Sequence, residues 1–400
     1  MCLYSIYFRL SLQSKDVTMS KTVVILGAGW AGLPLAHKLL KYTVPKLSSG
    51  LKVILVSPNS HFFWNVAATR GLIPDEIPDD QLFLPIKPAF DQYPAENFEF
   101  VLGTADGIDS TESTVNIELN GGAQRTISYD HLIVATGSRL TSNLPLKPIG
   151  SHETTIAAWT DLKSQVHSSK SILIAGAGAT GVEVAGELAA KYGTAKEITL
   201  LISGQKPLEG ALPAVSGILE KDLKRLGVKL IYQARVTEAR EASGGKQTEV
   251  TVSNGSTIVT DLYLPLHGVR TNTSFVPSAL LDRDGNIKLD ENMRVVDTEN
   301  IWGIGDVGNI EPKQLTVTDN QIIYLATALD AALTGSTVPS PYQPMNKKMI
   351  FLSMGRKMAT GQIGNWKLFG FMVSYVKGRK LFVDTAEGYV GGKHLRHAAM

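Results

Sequence analysis

The chain has 400 residues, is 44% hydrophobic and 19% charged, and carries a net charge of +2. A length of this order is divided among roughly two or three domains; the composition excludes a disordered or fibrous protein, and so small a net charge gives no bulk attraction to nucleic acid. The single cysteine, Cys2, excludes a disulfide framework, and with it the Cys pair that a disulfide-reducing flavoenzyme needs.

In chain order, the first 18 residues mix apolar and basic positions. They read either as a weak mitochondrial presequence or as an extension before a start at Met19, and the second reading is preferred. The β-branched run Thr22–Leu26 predicts a buried parallel strand, Trp30–Lys41 a helix, and "LKVILV" (51–56) a second strand, which together make a βαβ unit. Prolines break residues 72–98 into loops with room for one short helix. "FEFVLGTADGID" (98–109) and the two stretches after it predict an antiparallel meander, and "DHLIVATGS" (130–138) a buried strand ending in a glycine turn.

A proline-broken link, "SNLPLKPIG", leads to a second βαβ unit: a strand at 171–175, a helix at 179–192 and a strand in "EITLLIS" (197–203). A helix at 214–226 and further strands follow, and "NIWGIGDVGNI" (300–310) closes a return to the first unit. The order predicts one domain inserted in another. Residues 1–19 form an extension, 20–150 with 270–345 an outer domain, 151–269 an inserted domain, and 346–400 a short C-terminal segment. The fold class is α/β, with two Rossmann-like dinucleotide-binding domains.

Each unit carries a G-x-G-x-x-G turn between its strand and its helix: Gly27, Gly29 and Gly32, then Gly176, Gly178 and Gly181. Such glycines allow a tight bend and a close backbone approach, so that a pyrophosphate meets the N–H groups and positive pole of the next helix. Two such turns predict two dinucleotides: FAD in the outer domain (20–150 with 270–345) and a nicotinamide cofactor, NAD(P)H, in the inserted one (151–269). The acid that should grip a ribose is missing from both, because Ser57 and Ser203 stand at the strand ends. Ser57 or Asn59 is expected to substitute in the first. In the second, the missing carboxylate suggests that NADPH is tolerated beside NADH, with Lys206 as a phosphate partner. Asp306, at the end of a buried strand, is placed to accept a ribityl hydroxyl. His61 and His267 read as loop histidines, and no cluster has metal spacing.

These stretches resemble the pyridine nucleotide–disulfide oxidoreductase superfamily in its branch without redox cysteines. Within it, "SHFFWNVAATR" (60–70), "GATGVEVAGEL" (178–188), "IWGIGDV" and "FLSMGRKMATGQIGNWKLFGFMVSYVKGRKLFV" (351–383) are similar to the AMID-like group of apoptosis-inducing-factor homologues. The resemblance implies an FAD pyrophosphate loop at Gly27, Ala28, Gly29, Trp30, Ala31 and Gly32. It implies FAD contacts at Arg70, at the Ala105 backbone, at Gly137 and at Asp306, and it places Glu183 where nicotinamide meets flavin. Arg70 also reads as a surface cation and Glu183 as a residue that offsets the helix dipole. Lys313 and Gln314 precede a helix that, in this fold class, points its N-terminus at the flavin pyrimidine.

The implied activity is hydride transfer from NAD(P)H to flavin, then electron transfer to an acceptor. A quinone is expected, with ferredoxin, monodehydroascorbate and dioxygen open as alternatives, as is a slow-turnover redox signalling protein. Residues 341–400 hold ten Lys/Arg and two acids, with six aromatic residues between them from Phe351 to Phe382. Such a segment is expected either to lie on an anionic membrane surface or to cover the flavin domain. The expected location is cytoplasmic with peripheral membrane contact, or else mitochondrial.

Overall fold

The structure, a computed structural model, describes residues 20–345 and 347–393. The expected N-terminal extension, 1–19, lies outside the described residues, as does the end of the C-terminal segment.

The first layer is a seven-stranded sheet in the order β18-β8-β1-β2-β5-β6-β7. It is built from β1 (Lys21–Leu26), β2 (Leu51–Ser57), β5 (Phe98–Asp109), β6 (Thr114–Leu119), β7 (Gln124–Ser128), β8 (His131–Val134) and β18 (Ile301–Gly303). Five strands are parallel, and β5, β6 and β7 run on as an antiparallel meander. In the central strand Val23, Val24, Ile25 and Leu26 are all buried, as a parallel strand covered on both faces requires. Helices α1 (Gly32–Lys38) and α6 (Leu315–Thr334) contact one another, and α1 also contacts β1 and β2.

A second parallel sheet has the order β12-β11-β10-β16, from β10 (Ser171–Ala175), β11 (Glu197–Leu201), β12 (Lys229–Ile231) and β16 (Leu262–Pro265). It carries α4 (Ala179–Tyr192) and α5 (Pro213–Arg225), and a meander of β13 (Val236–Glu241), β14 (Thr248–Val252) and β15 (Thr257–Thr260). The chain crosses between the sheets twice. The two crossings pair with each other as β9 (Ser138–Leu140) and β17 (Val269–Thr271). In both sheets the strand before the glycine turn sits at the point where strand order reverses, which opens a crevice at its carboxyl end.

Helix α3 (His152–Ser168) is capped by Ser151, whose Oγ accepts from the Thr154 N–H. It packs Trp159 edge-on against Phe63 of β3 (His61–Phe63) and Phe83 of β4 (Phe83–Pro85). Next to β3 is the one-turn helix α2 (Ala68–Gly71).

The C-terminal segment is folded. Strands β19 (Met349–Met354), β20 (Met358–Ile363) and β21 (Trp366–Leu368) form an antiparallel sheet, followed by α7 (Gly370–Val373) and α8 (Ala386–Val390). Strand β19 lies directly on α4 because Gly186 has no side chain: a Cβ there would stand 2.5 Å from the Met354 Cγ. Helix α8 returns to the first sheet, where the Val390 carbonyl meets His37 Nε2 at 2.8 Å and Tyr389 lies against Trp30. The segment thus packs against a helix of each parallel sheet, α4 and α1. No helix among the described residues is long and apolar enough to cross a membrane.

Candidate functional site

A cavity of about 1360 Å³ runs along the carboxyl edge of the first sheet to the second unit and the C-terminal segment. It exceeds the roughly 300–1,000 Å³ of a pocket for one small ligand.

The first glycine turn forms its floor. Gly27, Ala28, Gly29, Trp30 and Ala31 line it, whereas Gly32 acts from beneath. A Cβ on Gly32 would lie 1.9 Å from the Gly27 carbonyl oxygen, so glycine alone lets α1 start this close to β1. Gly27 itself has φ +105°, outside the reach of ordinary side chains. The space above Gly29 is open. Helix α1 has no side-chain cap; the Leu33 N–H donates to the Gly29 carbonyl and Pro34 has no N–H, so a phosphate meets the N–H groups of the glycine turn and of Gly32.

Asp306 and Gly137 line the cavity farther along, and Ala105 lines it beyond β2. The Asp306 carboxylate accepts from the Ser138 hydroxyl and, at 3.0 Å, from Lys147 Nζ. Lys313 Nζ donates to the Asp306 carbonyl at 2.8 Å and to Asn286 at 2.7 Å, and burial lowers its pKa. Gln314, Leu315 and Thr316, at the uncapped start of α6, also face the cavity. The buried hydroxyls Thr69 Oγ1 and Thr316 Oγ1 line it without a hydrogen-bond partner among the described residues. An elongated polar ligand with an anionic centre therefore fits: a pyrophosphate on the glycine turn, hydroxyls at Asp306, and ring heteroatoms at α6 and the orphaned hydroxyls. FAD has that chemistry.

Ser57 and Asn59 line the same cavity, but both are already bonded. The Ser57 hydroxyl donates to the Asn59 carbonyl at 3.1 Å, and Asn59 Nδ2 donates to Gly150 and Thr155. His61 also lines the cavity, stacked on His152 at 3.7 Å between ring centres. Burial first, and then the neighbouring ring, lower its pKa.

The second turn repeats the logic. A Cβ on Gly181 would stand 1.8 Å from the Gly176 carbonyl oxygen, and one on Gly176 would stand 2.6 Å from that of Leu266. Both glycines act by packing. Gly178 faces open space, and Ala179 and Thr180, in the uncapped first turn of α4, reach the cavity.

Glu183, one turn into α4, meets Lys377 of the C-terminal segment. Its Oε1 accepts from Lys377 Nζ at 2.7 Å and from the Ser353 N–H at 3.0 Å, and Lys377 also donates to the Phe351 carbonyl. Both side chains line the cavity between the two glycine turns.

The expectation for Arg70 requires correction. Its guanidinium is buried and does not line the cavity; it forks onto Glu187 at 2.8 and 2.9 Å and donates to the Gly378 and Arg379 carbonyls. Glu187, one turn beyond Glu183, draws it into the seam between α2, α4 and the C-terminal segment. Lys206 does not line the cavity either. The Glu220 carboxyl is held low first by the Lys224 hydrogen bond and then by that of Tyr232, with the Lys206 charge a lesser contribution.

Sequence reasoning missed Lys147, inside a proline-rich link with no motif around it, and Lys377, counted only as one charge of a basic tail.

The fold and cavity define a class: an α/β oxidoreductase holding two dinucleotides side by side. The chain belongs to the pyridine nucleotide-disulphide oxidoreductase family, whose model matches residues 21–325. It is 40% identical over 375 residues to oxidoreductase ptaL of Pestalotiopsis fici, covering 94% of this chain and 100% of that one. It is 29% identical to human ferroptosis suppressor protein 1, covering 91% of this chain and 94% of that one. In fold it is similar to the sulfide:quinone oxidoreductase of Aquifex aeolicus, with a TM-score of 0.75 at 17% identity, over 94% of this chain and 92% of that one. The protein is an FAD- and NAD(P)H-dependent oxidoreductase. The disulfide chemistry in the family's name has no Cys pair to run on here.

Proposed function

We propose that the protein passes electrons from NAD(P)H to a quinone at the surface of a membrane. The observation that carries this reading is the far end of the cavity. Beyond Glu183 and Lys377 it is lined by Met349, Ile350, Phe351, Val376 and Phe382. Val376 and Phe382 belong to a run of exposed apolar side chains that includes Trp366 (81% exposed), Phe369, Phe371 (73%), Met372 and Tyr375. Arg379 stacks over Tyr375, and Lys367 and Lys380 are exposed alongside. Exposed apolar side chains close in sequence and interspersed with cations suit an interface with anionic lipid. It gives a lipid-dissolved acceptor an apolar path to the cavity.

Bound FAD would supply the redox chemistry, taking hydride from the nicotinamide and returning two electrons to the acceptor. The chain supplies position and charge. The first glycine turn and α1 hold the pyrophosphate, and Asp306, fixed by Ser138 and Lys147, orients the hydroxylated chain. The α6 N-terminus and Lys313 favour negative charge on the ring. Glu183 fixes Lys377 Nζ at the cavity wall, where that ammonium can give a proton to a reduced acceptor oxygen.

The test is anaerobic reduction of the purified, flavin-loaded protein with NADH, followed by reoxidation by a panel: a quinone in liposomes, a ferredoxin, monodehydroascorbate and dioxygen. Quinone is expected to reoxidise it fastest. Faster reoxidation by another acceptor, or none by quinone, would reject the reading.

A further inference from the structure

Strand β11 ends without the acid that normally reads the adenosine ribose; Ser203 stands there instead. The loop that follows brings a different carboxylate to that place. Leu208, in the left-handed region at φ +54°, donates its N–H to the Ala177 carbonyl at 2.8 Å, which folds residues 204–210 back onto the second glycine turn. The next residue, Glu209, places Oε1 3.0 Å from the Gln205 N–H, directly over Gly204. A Cβ on Gly204 would stand 1.7 Å from that oxygen, so only glycine lets the carboxylate settle there. Glu209 lines the cavity with Ala179 and Thr180, the first residues of α4. Its Oε2 makes no hydrogen bond to any described residue. The nearby Lys348 Nζ donates to the Gly210 carbonyl rather than to this carboxylate.

We propose that Glu209 reads the adenosine ribose of the nicotinamide nucleotide, replacing the absent strand-end acid from a loop and selecting NADH over NADPH. The geometry is a carboxylate held over Gly204 and Gln205, the third and fourth residues past β11, on the cavity side of the glycine turn that would hold the pyrophosphate. The free Oε2 accepts from ribose hydroxyls. The same charge repels a 2′-phosphate, and desolvating two like charges together is costly. This reverses the tolerance of NADPH that Ser203 by itself suggests. Lys206, from the same loop, does not line the cavity beside it. The inference rests on the second turn being the nicotinamide-nucleotide cradle.

Calorimetric titration of the full, flavin-loaded chain with NAD+ and NADP+ tests it, and this readout needs no turnover. The unaltered protein is expected to bind NAD+ at least about tenfold more tightly than NADP+. Glu209→Gln should weaken NAD+ by about tenfold, the loss of a charged hydrogen bond, and bring the two affinities together. The double variant Ser203→Asp, Glu209→Gln puts the carboxylate at the strand end and should restore the preference for NAD+, which separates ribose recognition from loop folding. Equal binding of both nucleotides by the unaltered protein, or an unchanged ratio in Glu209→Gln, overturns the assignment to Glu209 alone. Binding of neither nucleotide by a chain that keeps its yellow flavin overturns the two-cradle reading and this inference with it.

Discussion

Arg70 and Glu187 form an ion pair in which both side chains are almost wholly buried, 2% and 3% exposed, at 2.8 Å. The pair joins α2 of the first sheet's layer to α4 of the second. The carbonyls of Gly378 and Arg379 complete the guanidinium's bonds, and Ser353 Oγ supports Glu187. Three separate stretches of chain therefore meet at one charge pair. Removing one partner leaves the other charge buried and uncompensated, which costs about 3–5 kcal/mol. Arg70→Ala should lower the thermal unfolding midpoint sharply, and the double variant Arg70→Met, Glu187→Leu should be milder than either single change. A single change with no effect on the midpoint would show that the seam is not closed in solution.

The two glycine turns can be separated. Gly32→Ala drives a Cβ against the Gly27 carbonyl, and Gly181→Ala does the same at Gly176. The first variant should purify colourless or with little flavin. The second should stay yellow while its flavin is reduced far more slowly by NADH. Absorbance at the flavin band and stopped-flow reduction read the two outcomes, and loss of flavin from both variants alike would contradict the assignment of one cofactor to each turn.

Lys377 is tested by splitting the half-reactions. Lys377→Met removes the ammonium that Glu183 holds. Quinone turnover should fall by about 10²-fold, the usual range for a lost proton donor, while reduction of the flavin by NADH changes much less. An equal loss in both halves would make the lysine a structural partner of Glu183 and nothing more.

Trp366, Phe369, Phe371 and Tyr375 project from the C-terminal sheet and α7. Replacing all four with Ser should abolish flotation with anionic liposomes and leave turnover with a water-soluble quinone nearly unchanged, because none of the four lines the cavity. Unchanged flotation would sink the membrane proposal.

His37 is fully buried between the Tyr93 hydroxyl at 2.9 Å and the Val390 carbonyl at 2.8 Å. Burial, with a smaller push from Lys41, lowers its pKa from 6.5 to about 4 despite the Val390 carbonyl, which favours the charged form. The folded state thus prefers the neutral ring. Its stabilising effect is complete above pH about 6.5, where the unfolded histidine is also neutral. It declines as pH falls toward 4, because only the unfolded chain takes up the proton. The unfolding midpoint should drop between pH 7 and 5, and His37→Gln, which keeps an amide between the same partners, should flatten that slope.

The local signals in the sequence were reliable where one stretch of chain dictates its own geometry. The β-branched run Thr22–Leu26 has nowhere to go but a covered parallel strand, and a glycine at 27 or 176 with positive φ marks a turn whatever surrounds it. The helix expected at 179–192 and the meander after residue 98 were legible for the same reason. So were the single cysteine's exclusion of dithiol chemistry and the pairing of two nucleotide turns.

What the sequence alone could not decide were the relations between distant segments. Arg70 follows the motif of a cofactor contact, yet Glu187, more than a hundred residues away, captures it because α4 happens to pass α2. The basic tail reads as a segment that lies on a membrane or covers the flavin domain, with no partner named for any of its charges; Gly186 lets its first strand lie on α4, and that contact brings Lys377 to Glu183. Glu209 answers for an acid missing at Ser203 only through a fold-back of its loop. Hydrophobic periodicity and glycine geometry act over a few bonds and are written in the chain. Charge pairing acts through space, so its partners are chosen only when the packed layers fix which segments become neighbours.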